Sequence, residues 1–306
     1  MDRSADHRKP GRTIGGDGAV QLTATPTIGA LWRGWRDALD RQGFASPALD
    51  AKLLAGHGLG LTALDMALRE NEPVEAGAAE RIAELMQRRL SGESVARIIG
   101  EREFYGLAFA LNGATLEPRP ETELLVEMAL EALPQGGQLL DLGTGTGCIP
   151  IAVLVNRADA TGVATDLSAE ALVAARGNAG RHGVAERLVF LQGSWFEALA
   201  SRGETFDLIV SNPPYINSAV IETLADEVKS FDPRLALDGG PDGLAPYRVI
   251  AQEAGKRLKR GGRVLVEIGY DQGEAVTGLF EAAGFTDVTL HKDLNGLDRV
   301  VRAHHV

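Results

Sequence analysis

Leu139-Leu140-Asp141-Leu142-Gly143-Thr144-Gly145-Thr146-Gly147 runs straight into Cys148-Ile149-Pro150-Ile151-Ala152-Val153-Leu154. The leucines ahead of a polar loop read as the end of a buried strand, and the apolar run behind it as a helix packed on a sheet. Pro150 falls in the first turn of that helix, where a missing N–H is tolerated. Alternating glycines allow a tight turn and let a ligand approach the backbone closely. A strand, a glycine loop and a helix N-terminus together bind an anionic or dipolar ligand. No Gly-Lys-Ser/Thr follows, so this is not the phosphate loop of nucleoside triphosphatases. The G-x-G-x-G spacing also differs from the usual dinucleotide fingerprint, and an acid precedes the first glycine. Asp141 is ill suited to a pyrophosphate but suits the α-amino group of an amino-acid-like cofactor.

Thr161-Gly162-Val163-Ala164-Thr165-Asp166 reads as a second strand ending in a carboxylate, 25 residues after Asp141. That is close to the roughly 20-residue interval at which an acid grips ribose hydroxyls in doubly wound folds. The alternative is a plain helix start, with Ser168 as the cap. Taken with the glycine loop, the spaced acid points to an adenosine-containing cofactor.

A further apolar run, Phe206-Asp207-Leu208-Ile209-Val210, leads into Ser211-Asn212-Pro213-Pro214-Tyr215-Ile216. Adjacent prolines fix two φ angles and remove two N–H donors. The loop is therefore stiff and offers mostly acceptors: the Asn212 side-chain oxygen and nearby carbonyls. Such a loop can hold an NH2 group by both hydrogens, with the Tyr215 ring beside it. Taken alone, the same residues also read as a Pro-rich turn after a strand.

The paired motifs DLGTGTGCI (141–149) and SNPPYI (211–216) resemble the S-adenosylmethionine-dependent protein-glutamine N5-methyltransferases. Within these the chain is most similar to the peptide chain release factor glutamine methyltransferases. The likeness extends to Ile98–Phe104, Pro118–Glu123 and Val266–Gly269, and covers about residues 27–303. The resemblance implies methyl transfer from S-adenosyl-L-methionine to the glutamine of a Gly-Gly-Gln loop in class I release factors. It implies a cofactor site at Asp141, Gly143, Thr144, Gly145, Thr146, Gly147, Asp166, Trp195 and Asn212. The catalytic set would be Asn212, Pro213 and Tyr215. Substrate contacts would come from Asn212, Pro213, Pro214, Tyr215 and Phe104, with Tyr215 and Phe104 flanking the glutamine stem; core packing is the alternative for Phe104. Trp195 would cover the adenine, with the filling of a core edge as its alternative. Ser194 stands where the family often has an acid, which weakens an expected bond to the adenine amino group.

Composition fits a two-domain enzyme. The chain has 306 residues, a net charge of −11 and one cysteine, so no internal disulfide and no metal cluster are expected. Cys148 reads as packing rather than as a nucleophile. No apolar run reaches the length of a membrane span, and the polar N-terminus lacks the core of a signal peptide, so a cytoplasmic monomer is expected. The acidic balance argues against direct nucleic-acid binding. Lys256–Arg260, the densest basic cluster, reads as a helix end facing solvent.

The expected fold is α/β: a doubly wound, mainly parallel, seven-stranded Rossmann-like methyltransferase sheet with one antiparallel strand. A small N-terminal helical bundle is joined to it by a β-hairpin. The boundaries read as a disordered tail (1–26), the helical domain (27–100), the hairpin (101–117) and the methyltransferase domain (118–306). The hairpin is expected to turn at Asn112-Gly113. Trp32 and Trp35 are expected in the core of the bundle. Other functions remain open at this point: a glutamine methyltransferase acting on a ribosomal protein, an adenine-N6 nucleic-acid methyltransferase, a nicotinamide-dependent oxidoreductase, or a nucleotide-binding regulator without catalysis.

Overall fold

A computed structural model describes residues 25–306. Most of the expected 1–26 tail lies outside the described residues. The chain divides into two compact units, one ending at Ala83 and one from Glu84 to Val306. Five helices come first: α1 (Ile28–Arg41), α2 (Pro47–Leu59), α3 (Ala63–Leu68), α4 (Ala76–Leu90) and α5 (Val95–Ile99). Local chemistry starts several of them. Thr27 caps α1, and Thr62 with Asp65 forms a reciprocal capping box on α3, each satisfying amides that the first turn leaves unpaired. Leu39 and Leu54 are fully buried in the first unit. Trp32 is not part of that core. It is only half-buried, with Lys52 at 4.5 Å and Arg33 at 5.1 Å from its ring. Trp35 is likewise half-buried.

In the second unit, β1 (Glu101–Phe104) and β2 (Leu107–Ala110) form an antiparallel hairpin. Its turn is Tyr105-Gly106, not Asn112-Gly113. Both turn residues adopt positive φ, 53° and 71°, as a two-residue hairpin turn requires. Asn112 instead closes a local turn, accepting from Ala114 N at 3.0 Å, while its Nδ2 donates to Glu170 O at 2.8 Å.

There follow α6 (Glu123–Ala132), β3 (Gln138–Leu142), α7 (Cys148–Asn156), β4 (Thr161–Asp166), α8 (Ala169–Arg181), β5 (Leu188–Gln192) and β6 (Phe206–Ser211). After them come α9 (Asp226–Phe231), α10 (Ala245–Ala254), β7 (Leu258–Glu267), α11 (Gly273–Ala282), β8 (Thr286–Lys292) and β9 (Asp298–His304). The seven-stranded order is β5-β4-β3-β6-β7-β9-β8. β9 runs antiparallel to both its neighbours, and the other pairings are parallel. This is the doubly wound sheet with a single reversed strand that the strand and helix pattern implies. Helix-linked strands must be parallel, and β8 and β9, joined by a short loop, cannot be.

Alternation along the strands separates two cores, one on each face. Leu139, Ala164, Leu208 and Leu265 pack with α6 and α7, whereas Leu140, Val163, Ile209 and Val266 pack with α10 and α11. Lys256–Arg260 is not a helix end: α10 stops at Ala254 and β7 begins at Leu258, pairing with Phe206. The chain order reverses between β3 and β6, so the loops at their carboxyl ends diverge and leave a crevice there.

Candidate active site

A cavity of about 560 Å³ opens in that crevice. Gly143, Thr144, Gly145 and Thr146 line it from β3, Asp166 from β4, Trp195 from the turn after β5, and Asn212 and Pro214 from β6. Asp141, Gly147, Pro213, Tyr215 and Phe104 are absent from its lining.

The glycine loop is shaped by its own backbone. Gly143, Gly145 and Gly147 have φ of 73°, 55° and 79°, a region that side-chain-bearing residues rarely occupy. Gly143 N and Thr144 N both donate to Thr165 O at 2.9 Å, and Gly145 N donates to Asp166 Oδ2 at 2.8 Å. Ser168 N donates to the other Asp166 oxygen at 2.8 Å, and Ser168 also caps α8. The two readings of Asp166 are therefore compatible: it braces the loop, and its carboxylate keeps spare acceptor capacity toward the cavity. A side chain at Gly143 would meet the Trp195 ring at 3.8 Å, so ring and loop face each other.

Beneath the loop, Asp141 is fully buried, and among the described residues neither carboxylate oxygen has a partner in hydrogen-bonding geometry, the Thr144 hydroxyl nearby offsetting only part of the cost of burial. It shares the face of Leu139 but lies two residues nearer the crevice. Burial pushes its acid up to about 7. An unpaired buried carboxylate is costly, and the group that would relieve it is cationic with several N–H donors. Cys148 is also pushed up, to about 12, by burial, so its thiol stays protonated and is no nucleophile.

The Asn212 loop is held from two sides. Asn212 Nδ2 donates to Thr122 Oγ1 at 3.2 Å. Behind the prolines, Gln272 Nε2 donates to Tyr215 O at 3.0 Å and to Gly243 O at 3.3 Å. Tyr215 is half-buried against the core cluster containing Tyr247, and burial pushes its phenol up to about 12. Phe104 is 2% exposed and packs edge-on to Phe109 at 6.1 Å. The alternative weighed for Phe104, core packing, is the role it takes here, because the turn at Tyr105-Gly106 leaves its side chain on the inner face of the hairpin.

Sequence reading passed over several supporting residues. Asn178, on α8, exchanges hydrogen bonds with Ala110 and donates to Thr146 O at 3.0 Å, tying the hairpin to the glycine loop. Asp232 accepts from Arg97 at 2.6 Å and from the cavity-lining Arg119 at 2.8 Å. Gly239 sits against the Asn212 loop: a Cβ there would lie 2.8 Å from Pro214 O and from Tyr215 Cα. The clustered glycines of Leu237–Gly243 were the available signal. Gly239→Ala should displace the loop, and a shift near 1 Å lowers turnover about 100-fold. Turnover and thermal midpoint measured together test this, and normal turnover would mean the loop accommodates the methyl.

Fold and site together define a class I-type methyltransferase arrangement, with a glycine loop, a spaced acid and an acceptor-rich loop on one crevice. Residues 30–100 match the PrmC N-terminal domain, and residues 119–230 match the methyltransferase small domain. A release factor glutamine methyltransferase of Agrobacterium fabrum is 44% identical over 90% of this chain and 96% of its own. One from Caulobacter vibrioides is 45% identical over 90% and 96%. A solved release factor-specific protein-(glutamine-N5) methyltransferase from Alicyclobacillus acidocaldarius is 32% identical, covering 61% of this chain and 93% of its own, with a TM-score of 0.40. The chain belongs to the release factor glutamine methyltransferase family. Among the described residues no helix is long and apolar enough to cross a membrane.

Proposed function

We propose that this chain transfers a methyl group from S-adenosyl-L-methionine to the N5 side-chain amide nitrogen of the Gly-Gly-Gln glutamine in class I peptide chain release factors. The observation that carries this reading is the orientation of Asn212. Its NH2 end is bonded to Thr122, and among the described residues no donor is bonded to its Oδ1. An acceptor on a stiff loop at the cavity suits a planar NH2 group. The names of the relatives supply the substrate class.

The cofactor fits the residues present. Asp141, buried and unpartnered, would hold its ammonium group. Gly143, Thr144, Gly145 and Thr146 would shape the wall beside it, with Gly147 setting the turn behind them, Asp166 would accept from ribose hydroxyls, and Trp195 would flank the adenine. When bound, the cofactor supplies an electrophilic methyl on a sulfonium.

The chain's own contribution is positional. An amide nitrogen is a weak nucleophile because its lone pair is delocalised into the carbonyl. Asn212 Oδ1 would accept one N–H bond, and the Pro213 carbonyl, although Pro213 does not line the cavity, would take the second, which aims the nitrogen and favours its lone pair. Pro214 stiffens the loop, and Tyr215 supports it from behind. Tyr215 stays a neutral phenol and is no base; the proton leaves after methylation has made the nitrogen acidic. Such an enzyme would act in the cytoplasm, and nothing in this scheme requires a second copy.

Incubation with S-adenosyl-L-methionine and a class I release factor, followed by peptide mass spectrometry, tests the assignment. One added methyl on the Gly-Gly-Gln glutamine is expected. An unmodified glutamine, with label appearing on a ribosomal protein or on adenine in nucleic acid, would sink it. The net charge of −11 argues against the nucleic-acid outcome.

A further inference from the structure

We propose that Gln272 is a positioning residue that fixes the far end of the Asn-Pro-Pro-Tyr loop, and with it the place at which the substrate amide is held. The need for such a residue follows from the prolines. Pro213 and Pro214 have no N–H, so the loop cannot be anchored through amides of its own at those positions. It must be tied down from its ends. At the near end Asn212 Nδ2 donates to Thr122 Oγ1 at 3.2 Å. At the far end Tyr215 O accepts from Gln272 Nε2 at 3.0 Å. Just beyond, Ile216 N donates to Leu237 O at 2.9 Å and Gly239 N to Ile216 O at 2.8 Å, which joins the loop to the glycine turn 237–243.

Gln272 stands at the N-cap of α11, where a polar side chain ordinarily accepts from an amide of its own first turn. It makes no such bond. Its Oε1 turns back to accept from Gly269 N at 3.0 Å, and its Nε2 also donates to Gly243 O at 3.3 Å. One partner is an N–H and two are carbonyls, so backbone groups of fixed polarity set the direction of the amide, and both of its hydrogens are spent. Three segments are thereby pinned to one side chain: the exit of β7, the substrate loop and the glycine turn. Gly243 lets them converge. Its φ is 73°, and a Cβ there would overlap Tyr215 O and lie 2.7 Å from Gln272 Nε2.

The link to the reaction is the stiffness between this anchor and the acceptors. Two locked φ angles leave little to absorb a displacement at residue 215, so it passes back to the Pro213 carbonyl and to Asn212. The glycine loop is insulated from it, because Gly143 and Thr144 are braced on Thr165 O and Gly145 on Asp166.

This inference rests on the reading of Asn212 as the acceptor for a substrate amide, and the wild-type assay separates the two. If the wild type does not methylate the glutamine, that reading fails. If it does, Gln272→Glu, which keeps the size but sets an oxygen against two carbonyls, should lower kcat about 100-fold, the scale of a 1 Å misplacement. Gln272→Met, which keeps the bulk and removes the bonds, should lose about 10-fold and serves as the test should the glutamate variant fail to fold. In both, KM for the release factor and affinity for S-adenosyl-L-methionine should stay within about twofold of wild type, because the interaction lost is one made in the transition state. Steady-state kinetics at saturating substrates, a calorimetric titration of the cofactor and a melting curve give all the quantities. Packing alone would lower the melting temperature and leave kcat of the folded enzyme intact. A folded variant with wild-type kcat, or with kcat lowered only in step with weaker cofactor binding, overturns the proposal.

Discussion

Asn212→Ala is expected to lower turnover about 1,000-fold, the upper end of what removing one preorganised polar contact costs at a reacting centre. The affinity for S-adenosyl-L-methionine should change little. The residues proposed to hold it sit mainly on the loops after β3, β4 and β5, which brace one another independently of Asn212: Gly143 N and Thr144 N on Thr165 O, Gly145 N on Asp166. The loss should therefore appear in kcat and not in cofactor binding. Single-turnover methylation beside a calorimetric titration reads both quantities. Near-normal turnover would reduce the Asn-Pro-Pro loop to a structural turn.

Asp141→Asn carries the second large effect, and its two halves have opposite signs. The carboxylate has no partner among the described residues and is pushed up to about 7. Between its ordinary value near 4 and about 7, the folded ligand-free protein holds a proton that the unfolded chain has released. The unfolded state binds fewer protons, so ligand-free stability falls as pH rises through that window. The shift corresponds to roughly 4 kcal/mol at full ionisation, as an order of magnitude. Asp141→Asn should therefore raise the melting temperature of the ligand-free protein at pH 8 and flatten its pH dependence. Part of the slope will remain, because burial holds Glu267 in the same range. The same substitution should weaken S-adenosyl-L-methionine binding by about 100-fold, the scale of truncating one partner of a buried charge pair. Wild-type affinity should rise with pH toward 7, as the carboxylate forms, and that rise should vanish in the variant. Melting curves and titrations at pH 6 and pH 8 measure both halves; a less stable ligand-free variant would show that Asp141 is compensated in solution.

Much of the site was legible because its chemistry is local. Glycines at 143, 145 and 147 announce a backbone with positive φ, and two prolines announce a stiff loop, whatever surrounds them. The same locality misled at the hairpin. Asn112-Gly113 has the strongest isolated turn signal, yet Tyr105-Gly106 makes the turn. Glu123 Oε1 accepts from Tyr105 N at 2.8 Å, and Asn178 holds Ala110, partners 18 and 68 residues away. Phe104, whose two readings stayed open, and Lys256–Arg260, which is a strand start and not a helix end, were ambiguous for a related reason. An aromatic or a basic run does not reveal whether its neighbour is a ligand, a core or a strand.

The sequence by itself determined the doubly wound sheet, its reversed strand, the glycine loop and the acceptor loop, because periodicity and backbone-restricting residues act over a few neighbours. Only the tertiary structure decided the protonation of Asp141 and Glu267, the retreat of Phe104 into the core and the packing of Gly239 behind the prolines. Those depend on desolvation and contact between segments distant in the chain. A carboxylate written in a sequence is the same letter in water and in a core; only its surroundings set its charge.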